Sequence, residues 1–225
     1  MDSIVDVFSA THQFRLDPAR FLVAWNGVLV LAFEGFPCGI EAAKYKLIEK
    51  LPLIQENPGS KWPKVTLAAL SGCRPLLESD FETLNAILSR HSEKLRNCHI
   101  VFDAVSIVQF NCRSLESIRD RYDIALRDPL NQDQISPEQR RINAAILAEP
   151  DSLDYFSLAS RAGRDINYYR ENHVEWTLVS FLNGALEDEI TLLCKEIEGQ
   201  LPDLYEWIRP ESRHVTLLGL DRLVQ

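Results

Sequence analysis

Two short stretches of the chain contain residues whose types and spacing could support chemistry. Near the end, His214 and Thr216 stand two positions apart at the start of the apolar stretch HVTLLGL. Residues two apart in a β-strand point to the same face of the sheet, so an imidazole and a hydroxyl would lie side by side. An imidazole exchanges protons near neutral pH, which predicts an active-site pair. The alternative is the polar start of an ordinary core strand.

A second stretch, KVTLAAL, places Lys64 and Thr66 at the same spacing and in an equivalent context. In both halves of the chain an apolar run, a helical pattern and a Pro-bearing loop precede the stretch. Phe33 to Lys64 spans 31 residues and Phe181 to His214 spans 33, and four of the seven aligned positions are identical. Agreement in order, spacing and motif predicts an internal duplication.

Hydrophobic periodicity places both stretches on strands. The residues between 129 and 172 include three prolines. They predict a long, partly irregular connection with one short helix. A connection of this length inside a domain more often has a function than none. The predicted strands cover 27–36, 64–70, 99–110 (a strand or a bent hairpin), 175–184 and the end of 209–220. The predicted helices cover 39–54, 79–95, 114–128, 137–147 and 185–199.

Composition excludes several classes of protein. The chain of 225 residues is 46% hydrophobic and 25% charged, as in an ordinary globular protein. A net charge of -9 without a basic block does not suit a protein that grips a long nucleic acid duplex. No apolar run reaches the roughly 18 residues of a membrane span, and the acidic amino terminus is unlike a secretory signal. Five cysteines without a CxxC pair predict reduced thiols in a cytoplasmic protein.

The paired stretches resemble the motifs of the 2H phosphoesterase superfamily, which includes the LigT-like RNA cyclic phosphodiesterases. That family carries a strand beginning His-x-Thr/Ser-Leu in each of two lobes. The resemblance covers about 27–110 and 174–225, and the connection at 129–172 has no counterpart. It implies a single α+β bilobal domain over 1–225, with two pseudo-symmetric antiparallel-sheet lobes, outer helices and a central cleft.

The function that the resemblance implies is acid/base catalysis on a small phosphodiester such as a cyclic phosphate, a nucleotide or an RNA end. It implies no metal and no other cofactor, and we expect a monomer with no membrane partner. His214 would be the acid or base. Thr66 and Thr216 would donate hydrogen bonds to the phosphate oxygens, where charge builds in the transition state.

One position departs from the family pattern, because Lys64 stands where the first motif has histidine. An ammonium binds phosphate well, but its ordinary pKa near 10.4 makes it a poor proton donor or acceptor at neutral pH. Burial or a cationic neighbour would have to lower that pKa. Two hypotheses therefore stay open. The first is an enzyme that uses Lys64. The second is a non-catalytic protein whose cleft binds a nucleotide, a phosphate or an interaction partner.

The stretch SRAGRDINYYRENH holds further candidates for substrate binding. Arg161 and Arg164 could clamp a phosphate, Tyr168 with its neighbour Tyr169 could stack a base, and His173 could supply a second imidazole. The alternative is a solvated loop with internal salt bridges. Three tryptophans flank equivalent elements and are expected to pack in the core or at its rim: Trp62, Trp176 and Trp207.

Overall fold

The computed structural model describes residues 1–54, 56, 60–131, 134–152 and 154–220. Part of the predicted Pro-bearing loop before residue 64 lies outside these ranges. Within them the chain forms an α+β fold with antiparallel sheets. The helices are α1 (Asp2–Ser9), α2 (Cys38–Lys50), α3 (Glu78–Glu93), α4 (Pro137–Ala148), α5 (Phe156–Ala159), α6 (Ile166–Arg170) and α7 (Glu187–Gln200). The strands are β1 (Phe14–Leu16), β2 (Pro18–Val23), β3 (Leu29–Phe33), β4 (Lys64–Leu70), β5 (Ile100–Phe102), β6 (Ala104–Phe110), β7 (Ile118–Ala125), β8 (Glu175–Phe181), β9 (Tyr205–Trp207) and β10 (His214–Gly219).

Eight strands form one large sheet in the order β2-β3-β4-β10-β8-β6-β7, with β9 paired to β4. Strands β1 and β5 form a separate pair. The sequence predicted two sheets, one for each lobe, whereas here the strands of the two halves join through β4 and β10. The join is short, with Val65 opposite Val215, because β9 lies beside the far end of β4 from Ala68 to Leu70. None of the helices in the described ranges is long and apolar enough to cross a membrane.

The pairing of the motif strands supports the internal duplication. In the first copy β3 pairs with β4, and Val30 lies opposite Thr66. In the second copy β8 pairs with β10, and Val179 lies opposite Thr216. Each motif strand carries one extra residue directly after its threonine, so both ladders shift register at the same place. In each copy one helix, α2 or α7, connects the two strands.

The main hydrophobic core lies between the large sheet and the helices α1, α2, α3 and α7. Val65 and Leu67 of β4, like Val215 and Leu217 of β10, are wholly buried in this core. Side chains alternate between the two faces of a strand. The residues that alternate with them along each strand therefore project from the opposite face of the sheet, which α1, α2, α3 and α7 leave uncovered.

The predicted helix over 114–128 is wrong, because the chain there forms the edge strand β7. It pairs with β6 over most of its length, while all its side chains except that of Ile124 are exposed. This strand is held by its pairing with β6 and not by burial of an apolar face. Its charged side chains discourage pairing of the free edge with another strand. The predicted strand or hairpin over 99–110 is instead two consecutive strands, β5 and β6, in different sheets.

The described residues of the connection over 129–172 form three α-helices, α4, α5 and α6, and a 3-10 turn at Glu149–Asp151, where one helix was predicted. It packs on the β2–β3 half of the molecule. The Tyr155 hydroxyl donates to the Val23 carbonyl at 3.0 Å, and Asn143 Nδ2 donates to the Glu34 carbonyl at 2.8 Å. The connection is therefore anchored to the sheet rather than free of it.

A stability test follows from Gly27, which joins β2 to β3 with φ +73. A Cβ there would lie 2.5 Å from Leu70 Cδ1, so Gly27→Ala combines backbone strain with a clash. We expect a loss of about 1–3 kcal/mol in the free energy of unfolding, measured by urea denaturation. The control is Gly199→Ala in α7, where a Cβ meets no atom within 4 Å. That change should stabilise by about 0.5–1 kcal/mol, and equal losses at both positions would contradict the analysis.

Candidate functional site

The two motifs meet at the centre of the large sheet. With Val65 opposite Val215 in an antiparallel pair, Lys64 lies across from Thr216 and Thr66 lies across from His214. All four of these polar side chains line one cavity of about 720 Å³ on the sheet face away from the core helices. The residues that sequence analysis placed in a common cleft therefore do share one cavity.

The connection between the two halves forms a second wall of this cavity. From the sheet the cavity receives side chains of β2, β3, β4, β6, β8 and β10, and the opposite wall comes from the connection. That wall includes Ile142, Ile146, Glu149, Tyr155, Arg164, Tyr168 and Tyr169. The segment without a counterpart in the resemblance thus encloses the candidate site.

His214 is positioned as a neutral base. Its Nδ1 lies 2.7 Å from the Ser212 carbonyl oxygen, which can only accept a hydrogen bond. Nδ1 therefore carries the proton, and Nε2 of the neutral ring holds the lone pair. Burial lowers the pKa of His214 to about 4, although the hydrogen bond to Ser212 opposes the shift. At neutral pH the ring is uncharged, and the lone pair on Nε2 is that of a weak base whose strength best matches a mildly acidic pH.

The pKa of Lys64 is lowered far enough for its amine to transfer protons near neutral pH, which a lysine with its ordinary pKa could not do. Burial lowers the pKa of Lys64 to about 7, with smaller contributions from the positive charges of Arg164 and Lys44. Its Nζ lies 4.2 Å from the centre of the Trp62 ring, a cation–π contact that favours the charged form. The amine therefore exchanges protons near neutral pH.

The two groups consequently hold opposite proton states over a defined range of pH. Between about pH 4 and pH 7, His214 is neutral while Lys64 is protonated. A base and an acid on neighbouring strands are what proton transfer on both sides of a phosphodiester requires. The hydroxyls of Thr66 and Thr216 stand beside them as hydrogen-bond donors.

Tyr169 of α6 supports the motif of the first half. Its hydroxyl interacts with the Thr66 side chain, and burial raises the pKa of Tyr169 to about 12. The phenol therefore stays protonated at neutral pH and can fix the direction in which the Thr66 hydroxyl points. Tyr169 also packs against Ala69 and Ile166, which ties α6 to β4.

Arg164 and Tyr168 line the cavity as the sequence suggested, but they act together with Arg113. The Tyr168 ring centre lies 4.3 Å from the Arg113 guanidinium and 5.7 Å from that of Arg164. Arg113 also donates to the Glu171 carboxylate at 2.5 Å. The Tyr168 ring thus lies against two guanidiniums at the cavity wall, and stacking of a base on this ring stays a prediction.

Neither Arg161 nor His173 is among the described residues that line the cavity. Arg161 is exposed, and its backbone carbonyl accepts a hydrogen bond from Asn26 Nδ2 at 3.2 Å. His173 Nε2 lies 2.6 Å from Glu175 Oε1, and it is Glu175 that lines the cavity. His173 also lies beside the Phe110 ring, at 6.4 Å between ring centres, and Phe110 lines the cavity as Glu175 does. Substrate contacts from Arg161 and His173 stay a prediction.

Sequence analysis missed several residues of the cavity wall. Trp62, Trp176 and Trp207 pack against buried clusters as expected, and Trp62 and Trp176 also line the cavity, which was not predicted. Trp62 stands two residues before Lys64, a spacing that could have indicated a shared face. Arg113 carried no such signal, because it precedes a stretch that was taken for a helix.

Comparison of the chain with protein-family models, with curated proteins and with solved structures gives no match. The chemistry of the site has to be inferred from its own geometry.

The influence of Arg164 on Lys64 gives a direct test. Removing the positive charge in Arg164→Gln should raise the pKa of Lys64, because a like charge nearby disfavours the ammonium form. The measurement is the pH dependence of Lys64 modification by trinitrobenzenesulfonate, followed by peptide mass spectrometry. Arg161→Gln is the matched control and should leave the midpoint near pH 7. An unchanged midpoint in Arg164→Gln would show that Arg164 does not act on the amine.

Proposed function

We propose that the protein is a 2H-type phosphodiesterase-like enzyme that acts on a small phosphodiester by metal-independent acid/base catalysis. The observation that carries the proposal is the presence of a neutral His214 and a protonated Lys64 in one cavity, with Thr66 and Thr216 beside them. The matched registers of β3–β4 and β8–β10 around the Val65–Val215 pair support a bilobal arrangement of the 2H type.

The mechanism assigns one proton transfer to each half of the site. His214 Nε2 takes the proton of the attacking water or hydroxyl while its oxygen forms a bond to phosphorus. Lys64 Nζ gives its proton to the leaving oxygen as the second phosphorus–oxygen bond breaks. Thr66 and Thr216 donate hydrogen bonds to the non-bridging oxygens, where negative charge increases. Solvent then returns each group to its starting state.

The proton states predict the pH profile of the reaction. Below about pH 4 His214 is protonated and cannot act as the base, and above about pH 7 Lys64 has lost the proton it must donate. A plot of kcat/KM should therefore be bell-shaped, with a maximum at about pH 5.5, midway between the two limbs. The measurement is hydrolysis of adenosine 2',3'-cyclic phosphate, followed by phosphorus NMR from pH 3 to 9. A profile that keeps rising above pH 7 would rule out Lys64 as the acid.

Substitutions at Lys64 separate binding from proton transfer. Lys64→Arg keeps the positive charge but holds its proton too tightly to donate it, so kcat should fall by about 10²–10⁴ with little change in KM. His214→Gln should lower kcat by a similar factor because no base remains. Lys64→His should also be slower than the wild type, since the shorter imidazole cannot occupy the position of Nζ. Circular dichroism of each variant checks that the fold is kept.

The other hypothesis, a binding protein that has kept the cleft without catalysis, predicts a different set of results. Neither the wild type nor Lys64→His would turn over any cyclic phosphate. Calorimetry would still detect nucleotide binding, and His214→Ala would abolish it. That combination would overturn the enzyme proposal and leave a phosphate-binding function for the same four residues.

A further inference from the structure

The cavity has an apolar end directly beside Lys64. The strand registers fix its place, because Val30 of β3 lies opposite Thr66 and Leu22 of β2 lies opposite Val30. These three side chains line the cavity and form one row across β4, β3 and β2. The Trp62 ring packs against the buried cluster that contains Leu22 and Val30. Its centre lies 4.2 Å from Lys64 Nζ, so the apolar end adjoins the proposed acid.

Helix α4 supplies the opposite side of this end. Ile142 and Ile146 stand four residues apart on one face of the helix, line the cavity and are half-buried. At the start of α4, Gln139 Nε2 donates to the carbonyl of Lys61, the residue before the tryptophan, at 3.1 Å. Near its end, Leu147 packs against the same buried cluster as the tryptophan. The helix therefore lies along the apolar row.

Trp25 stands at the mouth of this end. It follows β2, lines the cavity and is 53% exposed. Its Nε1 donates to Glu149 Oε2 at 3.1 Å, which holds the indole in place while the ring stays open to solvent. The hydroxyl of Tyr155, another residue of the wall, donates to the Val23 carbonyl at 3.0 Å. Because these polar groups are bound within the protein, the surface offered to a ligand here is mainly hydrocarbon.

The position of the apolar end decides which part of a substrate would occupy it. The sheet order β2-β3-β4-β10 places this end and His214 on opposite sides of Lys64. In a displacement at phosphorus, the attacking and leaving oxygens lie on opposite sides of the phosphorus atom. When His214 activates the water and Lys64 protonates the leaving oxygen, the leaving alcohol therefore points towards β3 and β2.

We infer that the cavity takes phosphodiesters of an apolar, hydrocarbon alcohol and that this alcohol is the group that leaves. The oxygen of water bonds to phosphorus and its proton passes to His214. The bond between phosphorus and the alcohol oxygen breaks, and that oxygen takes the proton of Lys64. The products are the free alcohol and a phosphate monoester. The inference rests on the proposed function, whose reaction it uses, and it adds the class of the leaving group.

The affinity for a series of methyl alkyl phosphates tests the apolar end without requiring turnover. With alkyl chains from methyl to pentyl, the dissociation constant measured by calorimetry should fall about threefold for each methylene moved out of water. Ile146→Gln places an amide in the wall and should abolish most of this gain, with dimethyl phosphate bound as in the wild type. Trp25→Ala, at an exposed position, should also reduce the gain.

The matched control is Ile48→Gln, because Ile48 is a half-buried isoleucine of α2 that lies outside the cavity. This variant should keep the full dependence on chain length. An equal loss of that dependence in Ile48→Gln and Ile146→Gln would overturn the inference, and so would a dissociation constant that does not change with chain length in the wild type.

The direction of cleavage tests the assignment to the leaving group. Methanol and pentanol are similar leaving groups, so methyl pentyl phosphate reports which ester group lies next to Lys64. Phosphorus NMR should show methyl phosphate, formed by release of pentanol, as the main product. Pentyl phosphate as the main product would overturn the inference while the phosphodiesterase proposal stands. If no diester is hydrolysed, the proposed function fails, and the dependence on chain length still decides whether the apolar end binds a hydrocarbon group.

Discussion

The antiparallel pairing of β4 with β10 is the constraint on which the rest of the site depends. Val65 and Val215 face each other in that pair and are wholly buried in the core below the sheet. Their burial determines which face of each strand turns to the helices, so their polar neighbours must project into the cavity. A shift of one residue would turn Lys64 and His214 towards the core helices and the two valines towards the cavity. Hydrophobic burial therefore determines which polar side chains of the two strands face the cavity.

The two halves of the site differ in proton state because the same burial acts on two different side chains, Lys64 and His214. Burial disfavours the charged form of both, lowering the pKa of His214 from 6.5 to about 4 and that of Lys64 from 10.5 to about 7. Because the ordinary pKa of lysine is higher, Lys64 is still protonated over a range of pH in which His214 is already neutral. Two identical histidines could exchange the roles of acid and base. In the proposed reaction a lysine and a histidine have fixed roles, because only the lysine is protonated between about pH 4 and pH 7.

The sequence could predict those features of the site that depend on local residue patterns. It could not predict those that depend on packing between distant parts of the chain. The equal spacing of the two motifs predicted that Lys64 shares a strand face with Thr66 and His214 with Thr216, since strand alternation is a local property. That the two pairs meet in one cleft was implied only by the family resemblance. The same reasoning could not separate Arg164 from Arg161. Gly163, with φ +124, lies between them, and only Arg164 immediately precedes the Asp165 cap of α6, which packs on β4. The strand β7 was missed because its stability comes from pairing with β6, which no pattern within its own residues reveals.

The lysine and the extra connection are physically coupled. Burial is the largest cause of the lowered pKa of Lys64, and Arg164, the second cause, belongs to the connection itself. The helices of that segment supply the wall opposite the sheet, including Tyr168 and Tyr169. In a cleft left open to solvent the ammonium would keep a pKa near its ordinary value and hold its proton too tightly at neutral pH. The lowered pKa of Lys64 therefore depends on the cavity that the connection encloses, and a change in the connection should alter the proton state of this amine.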